Sequence, residues 1–338
     1  MQACTGVIKN VNEGLIVKEL LNGELVTKQL LAKKTDLSFP TVSKIIDEFV
    51  ESKLVVSLGL EKTSPGGRKA GLYQINKNSA FGLSLYLQEK KIWFFITDAV
   101  GGVIKNSEYE VREEGYVESF RRIIQIETNK NAQIKAISIG VPGGVSKGVI
   151  CYIDKYDELR NCKLKELLEK EFQIPVAVEN NMRTVTYGLG KKKNSKCRES
   201  VVCLHIANNG PGCGVLINGK TISGFNGFVG EVGYLPMFDT KNLQQIALDG
   251  FKDFDTIDYF ARLIAGVCVF YNPEEVIFYE NDKYTDKMDA IINRCKKYIP
   301  DIALPRIEIS TKYWEDYQVG LIEMIKDILY PAYSIVRE

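Results

Sequence analysis

A short polar run at the start of an apolar-striped helix is the first stretch that could do chemistry. Ser38 stands where an N-cap would stand, and Pro40 is tolerated in the first turn, where backbone N–H groups lack helical partners. Free N–H groups beside short hydroxyl side chains suit a phosphate or the edge of a nucleic-acid base. The helix residues that we expect to contact DNA are Ser38, Pro40, Thr41, Ser43 and Lys44.

A second set of candidate DNA contacts lies in a loop between two β-rich runs, 55–60 and 72–75. The loop contains Pro65 and the pair Gly66-Gly67, which are typical of a turn. Its basic side chains, which suit phosphate contact or entry into a minor groove, are Lys62, Arg68 and Lys69. A solvent-exposed hairpin tip tolerates the same residues without needing them.

The order of elements that must position these residues is that of a winged helix-turn-helix. An apolar stripe at i, i+3, i+4 and i+7 is formed by Val42, Ile45, Ile46 and Phe49. A shorter helix around Leu30 comes before it, a helix-spaced apolar set at 15–21 comes first, and the two β runs follow. A small three-helix unit also serves as a packing or dimerisation module, and this alternative stays open.

Composition excludes several classes of protein. The 338 residues carry a net charge of +1, with a small basic excess in residues 1–80 and a small acidic excess in the rest. No apolar run approaches the roughly 20 residues that span a bilayer, and no secretion signal is visible. The eight cysteines contain no C-x-x-C pair, which favours reduced thiols in a cytoplasmic protein without a membrane partner.

The chain has a single histidine, His205, which excludes a two-histidine metal site. It lies within 201–206, a run with the pattern of a buried strand. We therefore expect a core histidine whose hydrogen bonds are satisfied.

From Phe81 onwards, β-rich runs alternate with helix patterns, which predicts an α/β region. The polar run 76–79 is expected to be a hinge. We therefore assign a DNA-binding domain to 1–76 and an α/β domain to 77–338. The α/β domain has two β-rich halves, the second from about residue 186, as in the two-lobed actin and hexokinase (ribonuclease H-like) superfamily.

Several short motifs follow one another in a recognisable order. Near the N-terminus they are Leu37-Ser38-x-x-Thr41-Val42-Ser43-Lys44, Ser64-x-Gly66-Gly67-Arg68 and Phe81-Gly82-Leu83. Further on they lie at 140–143, 178–181, 210–219 and 224–233. In this order and spacing the chain resembles the ROK family of bacterial sugar-responsive repressors, in which a winged helix-turn-helix precedes a domain descended from sugar kinases.

The resemblance implies that the phosphate loop of the family's kinases is lost. Their Asp-x-Gly-Gly-Thr loop falls on 86–90, where Tyr86 replaces the aspartate, Gln88 and Glu89 the glycines, and Lys90 the threonine. Bulky side chains and a carboxylate oppose the close approach of phosphates to backbone amides. We therefore expect no ATP.

Two further differences from the family's pattern concern the general base and the zinc site. The family's Asn-Asp pair is Asn180-Asn181 here, and an amide cannot act as a general base. Tyr234 replaces a zinc-binding histidine, and 235–249 contains no cysteine. We expect no enzyme activity, no zinc and a shortened loop.

Matching this sequence to the family's ligand-binding motifs, residue by residue, implies five candidate ligand contacts. They are Gly143, Asn180, Asn181, Glu231 and Tyr234. The Glu231 carboxylate suits vicinal hydroxyls, and a tyrosine can stack on a pyranose ring. An asparagine after a strand is also an ordinary turn residue, and the Glu231 motif can simply shape a loop. The family's further sugar-contacting asparagine, after the strand near Tyr152, has no clear counterpart, because Lys155 falls about there.

The leading hypothesis is a homodimeric DNA-binding repressor of carbohydrate-related genes. Its inactive ROK domain would dimerise and sense a sugar or sugar phosphate, while two recognition helices read a palindromic double-stranded operator. One alternative is an active sugar kinase with a regulatory N-terminal domain. The other is a ligand-independent regulator with a vestigial cleft.

Overall fold

The chain begins with three helices and a two-stranded hairpin in the computed structural model, which describes residues 2–60, 70–193, 200–207 and 210–336. These elements are α1 (Gln2–Leu20), α2 (Lys28–Thr35), α3 (Phe39–Glu51), β1 (Val55–Leu60) and β2 (Gly71–Ile75). The α3 stripe packs against α1 and the hairpin, with Ile16, Val42 and Ile46 fully buried. The order is the predicted one, although α1 begins well before the apolar set at 15–21.

A five-stranded sheet forms the first half of the α/β region. Its elements are β3 (Phe81–Gln88), β4 (Lys91–Thr97), β5 (Val103–Glu110), α4 (Gly115–Lys130), β6 (Ile134–Val141), β7 (Gly144–Ser146), β8 (Val149–Tyr152), α5 (Leu164–Phe172) and β9 (Val176–Asn180). The strand order is β5-β4-β3-β6-β9, with β3, β6 and β9 parallel, while β7 and β8 pair separately. The carboxyl ends of β6 and β9 therefore meet at one edge of the sheet.

The second half repeats this topology. Its elements are α6 (Asn181–Lys192), β10 (Val201–Ala207), β11 (Gly210–Ile217), β12 (Lys220–Thr221), α7 (Leu243–Leu248), α8 (Thr256–Tyr271), β13 (Glu275–Tyr279), α9 (Met288–Cys295), β14 (Arg306–Ser310), α10 (Tyr313–Leu329) and α11 (Pro331–Val336). The order β12-β11-β10-β13-β14 has parallel β10, β13 and β14, like the first sheet. The predicted pair of β-rich halves is confirmed, whereas the helices α6, α7, α9 and α11 and the strand β14 were not predicted. No helix within the described ranges is long and apolar enough to cross a bilayer.

Helices α6 and α10 cross between the two sheets. A Cβ atom on Gly188 of α6 would lie 1.9 Å from the Asp316 carbonyl oxygen, and one on Gly320 of α10 would lie 2.0 Å from the Thr184 carbonyl oxygen. The crossing therefore requires a glycine on each helix. The suggested start of the second lobe, about residue 186, lies inside α6.

The C-terminal end of the chain returns to the N-terminal helices. A Cβ atom on Gly14 of α1 would lie 2.1 Å from the carbonyl oxygen of Ala332 in α11. Tyr330, which follows α10, is buried in the same apolar cluster as Ile16 and Val42. One long helix thus connects the space between the two sheets to the helix-turn-helix unit.

Candidate DNA-contacting surface and sugar pocket

The start of α3 is exposed and capped as expected. The Thr41 backbone N–H donates to the Ser38 hydroxyl oxygen at 3.3 Å, and the two hydroxyl oxygens of these residues are 2.8 Å apart. Ser38, Pro40 and Lys44 are exposed, whereas Thr41 and Ser43 are half-buried. The helix residues predicted from the sequence therefore lie together at one end of α3. The wing residues Lys62, Arg68 and Lys69 lie outside the described residues.

An ion pair that the sequence did not reveal lies beside this end of α3. The Lys28 ammonium on α2 contacts the Asp47 carboxylate at 2.6 Å and donates to the Ser43 hydroxyl at 3.0 Å. The Ser43 hydroxyl also donates to Asp47 at 3.3 Å. Ser43 is therefore engaged in fixing α2 against α3. The i, i+4 spacing of Ser43 and Asp47 was the only local signal.

A small polar pocket lies at the sheet edge where β6 and β9 end. It brings together Gly143, Asn180, Asn181 and Glu231 of the predicted contacts, and it adds Asp154, His205 and Gln244. The cavity is about 40 Å³. Because one water needs roughly 10–15 Å³ by this measure, the pocket holds a few waters in this conformation.

The two asparagines of the pocket differ in their bonding. Asn180 caps α6 by accepting from the Arg183 N–H at 3.0 Å, and its amide donates to the Gly143 carbonyl at 2.7 Å. It is 6% exposed, so its first role is to hold the turn at Gly143. The Asn181 amide lies 3.5 Å from the Tyr313 hydroxyl and lines the cavity.

A buried arginine holds the loops around the pocket. The Arg183 guanidinium donates to the Gly227 carbonyl at 2.9 Å and to the Val145 carbonyl at 2.6 Å, and it pairs with Glu179 at 2.6 Å. Arg183 was not among the predicted residues, because an arginine in the first turn of a helix is normally exposed. Its position just after the capping Asn180 was the one available signal.

Two carboxylates face the pocket. The pKa of Glu231 is raised to about 7, chiefly by burial, which the positive charge of Arg183 partly offsets and the negative charge of Asp154 reinforces. Asp154 accepts from the Gln244 amide at 2.5 Å and lies 3.4 Å from the Tyr234 hydroxyl. Asp154, and not Lys155, thus occupies the pocket after the strand near Tyr152.

The position of Tyr234 differs from that of the other predicted contacts. Its ring packs at right angles to Tyr152, with ring centroids 5.5 Å apart, and contacts Phe228. It lies beside the cavity and reaches it through Asp154. In this conformation no pyranose ring could stack on Tyr234 within the pocket.

The expectation for His205 was wrong in one respect. The side chain is half-buried in β10, and burial lowers its pKa to about 4, so the ring is neutral near pH 7. However, Nδ1 is buried and has no hydrogen-bond partner among the described residues. The ring stacks on Tyr313, with centroids 4.3 Å apart, and lines the pocket instead of a closed core.

A tight hairpin turn stands where the resemblance implied a phosphate loop. Gln88 pairs with Lys91 across β3 and β4, leaving Glu89 and Lys90 as the turn, with φ of 54° at Glu89. The Tyr86 ring packs against Trp314 at 5.5 Å and Tyr317 at 5.2 Å. An aromatic cluster therefore lines the space beside this turn.

The two matching sheets with helices between them define an α/β protein with the actin/hexokinase-like fold. Residues 87–246 match the model of the ROK family. A solved ROK family transcriptional regulator, a homologue of the E. coli MLC protein, shares the fold over 98% of this chain and 99% of its own, with a TM-score of 0.75 and 18% identity. A ROK family glucokinase from Streptomyces griseus, solved with glucose and AMPPNP, covers 73% of this chain and 98% of its own, with a TM-score of 0.54 and 16% identity.

Curated relatives with sequence similarity are named as regulators. The xylose repressor of Bacillus spizizenii is 25% identical over 235 residues, which are 68% of this chain and 61% of that protein. The xylose repressor of Caldicellulosiruptor bescii is 28% identical over 239 residues, 68% of this chain and 59% of that protein. The DNA-binding transcriptional dual regulator NagC of Escherichia coli is 23% identical over 242 residues, 68% of this chain and 58% of that protein. The chain thus spans about three fifths of the length of these relatives.

Proposed function

We propose that the chain is a DNA-binding transcription regulator, a repressor of carbohydrate-related genes that senses a sugar or sugar phosphate. The observation that carries this proposal is that one chain contains a capped, exposed helix of the DNA-reading type and a polar pocket, joined by α10 and α11. The names of the curated relatives support it.

DNA contact would come from the exposed start of α3. Ser38 and Thr41 present hydroxyls there, and Lys44 presents a charge that no described acid pairs with. As a homodimer, two such helices would read the halves of a palindromic operator. The wing lysines and arginine would add phosphate contacts.

Sugar binding would engage Glu231, Asp154 and Asn181, whose oxygens and amide suit ring hydroxyls. The 40 Å³ cavity is too small for a sugar, so binding would require the two lobes to separate. Because α10 packs between the lobes and leads to α11, such a movement would reach α1 and the recognition helix.

We further propose that this domain transfers no phosphoryl group. The pocket offers the amide of Asn181 where the family's kinases have a carboxylate base, and the Glu89-Lys90 turn offers no glycine amides to phosphates. Neither ATP nor zinc is part of this proposal, since Tyr234 and the cysteine-free run 235–249 offer no zinc ligands. An assay that detected ATP consumption with xylose, glucose or N-acetylglucosamine would restore the kinase alternative.

The decisive experiment selects DNA from a random double-stranded pool and then challenges the complex with sugars. Recovery of one palindromic sequence, released by a sugar or sugar phosphate, is the expected result. Specific DNA binding that no sugar changes would favour the ligand-independent regulator with a vestigial cleft. The small volume of the pocket makes this the strongest alternative to the proposed function. Failure to select any sequence would reject the regulator.

A further inference from the structure

A second, larger cavity lies against the polar pocket. It is about 400 Å³, within the range of small-molecule sites. Its wall includes the turn at 88–90, the start of α4 and the first residues of α10. The aromatic residues that line it are Tyr116, Tyr156, Tyr313, Trp314 and Tyr317.

The aromatic wall is built by contacts between distant elements. Tyr116 meets Tyr156 edge to face, with ring centroids 5.1 Å apart, and Tyr313 meets Trp314 at 4.9 Å. Tyr156 and Tyr313 are buried, while Trp314 is 47% exposed at the opening. Rings of this kind present an apolar face with a polar edge, which matches the two faces of a pyranose.

The two cavities are contiguous. Pro142, Asn181, His205 and Ala207 line both. At this junction lies the neutral ring of His205, which stacks on Tyr313 of the aromatic wall. The junction can therefore be bridged by a ligand that extends from one cavity into the other.

We propose that the aromatic cavity is the subsite for the second ring of a disaccharide whose first ring addresses Asp154 and Glu231. This inference rests on the sugar-sensing function proposed above and narrows it to effectors larger than a monosaccharide. The second ring stacks on Trp314 and Tyr116, and its hydroxyls bond the phenol groups and the Asn181 amide. A nucleotide suits the cavity poorly, because no glycine lies in the adjoining turn to bring backbone amides close to its phosphates, although Lys90 and Lys155 line the cavity beside Glu89.

The chain offers a local fluorescence probe for the test. Its two tryptophans are Trp93 and Trp314, and only Trp314 lines the aromatic cavity. The Trp93→Phe variant therefore reports on Trp314 alone. It is titrated with xylose and xylobiose, and with N-acetylglucosamine and N,N′-diacetylchitobiose, while calorimetry measures the affinities.

The expected result is that one disaccharide binds at least about tenfold tighter than its monosaccharide and shifts Trp314 emission. Trp314→Ala, or Tyr116→Ala should the first variant not fold, weakens binding of the disaccharide by a similar factor and leaves that of the monosaccharide unchanged. Monosaccharides that bind as tightly as the disaccharides, or variants that weaken both equally, would overturn the inference and leave sugar sensing intact. Binding of none of the four sugars would overturn the inference, and failure of the corresponding sugar phosphates to bind as well would remove the sugar-sensing function.

Discussion

The Tyr330 hydroxyl donates a 2.7 Å hydrogen bond to the Ala99 carbonyl oxygen, although 231 positions separate the two residues. Both are buried in the apolar cluster of the helix-turn-helix unit. Ala99 follows β4 and Tyr330 follows α10, so this bond joins the ends of two α/β elements beneath the N-terminal helices. The bond therefore fixes the α/β side of the contact with the helix-turn-helix unit.

Replacing Tyr330 by Phe should lower the free energy of unfolding by about 1–2 kcal/mol, because it leaves a buried carbonyl without its donor. Urea denaturation measures the change. Tyr109→Phe is the matched control, since the Tyr109 hydroxyl bonds the Glu114 carboxylate away from this contact. Equal stability of Tyr330→Phe and the unmodified chain would contradict the role given to the bond.

Substitution of Gly188 by Ala should prevent the close crossing of α6 and α10. The new methyl group would lie 1.9 Å from the Asp316 backbone oxygen, which cannot rotate away. A loss of several kcal/mol, or failure to fold, is expected from such overpacking. Gly190→Ala on the same helix is the control, because its Cβ would meet only the flexible Leu216 side chain at 3.1 Å. Thermal unfolding should show a much lower melting temperature for Gly188→Ala than for Gly190→Ala. Similar melting temperatures would refute the requirement for glycine at position 188.

Arg183→Met should destabilise the loops around the polar pocket. The side chain is 2% exposed, and its loss leaves the carbonyls of Val145 and Gly227 without these donors and removes the ion pair with the Glu179 carboxylate, which is 33% exposed. A cost of about 2–5 kcal/mol is expected, mainly because each buried carbonyl left without a donor costs about 1–3 kcal/mol. Arg121→Met removes a more exposed pair with Glu171 and should cost less than about 1 kcal/mol. If chemical denaturation shows equal losses of unfolding free energy in the two variants, Arg183 does not hold these segments together.

Lys44→Ala should weaken binding of the selected DNA and reduce the slope of log affinity against log salt by about 1, as for one lost phosphate contact. Fluorescence anisotropy at several salt concentrations measures both quantities. Lys163→Ala, an exposed lysine of the α/β region, is the control and should change neither. An unaltered slope in Lys44→Ala would remove this side chain from the DNA surface.

Local signals predicted most of the elements. The helix patterns between β-rich runs from Phe81 onwards include α5 (Leu164–Phe172), where apolar spacing defines one face and Pro175 lies just beyond the end. The return of α11 to α1 had no such signal, since Gly14 and Ala332 meet only through the path of the whole chain. Strand β14 was missed because its apolar residues, Ile307 and Ile309, are few and only half-buried.

The pocket was predicted less completely than the fold. Motif matching pointed to Asn180, which is the last residue of β9, and to Glu231, which lies in a loop. Arg183 and His205 were missed because their environment comes from other elements: β7, β9 and the loop at Gly227 converge on Arg183, and Tyr313 stacks on His205. A sequence pattern describes a residue only through its own helix or strand, so these contacts with other elements were not visible in it.

Glu231 should make stability depend on pH in a defined direction. Its pKa is raised from 4.5 to about 7, mainly by burial, so the folded state holds a proton that the unfolded state has released between these values. The folded state therefore binds more protons in this window, and the carboxyl's contribution to stability falls as pH rises from about 4.5 to 7. Above pH 7 the penalty for the buried charge is complete.

Glu231→Gln removes the ionisation and should abolish this part of the pH dependence. The free-energy advantage of the variant over the unmodified chain, measured as the free energy of unfolding, should be about 1–3 kcal/mol larger at pH 8 than at pH 5. This range is lower than the full pKa shift would give, because the Glu231 side chain is only partly buried. Urea denaturation at both pH values measures the difference, and Glu166→Gln, on the exposed face of α5, is the control. A variant whose advantage is the same at pH 5 and pH 8 would mean that Glu231 titrates normally, and that the pocket around it is wetter than its burial implies.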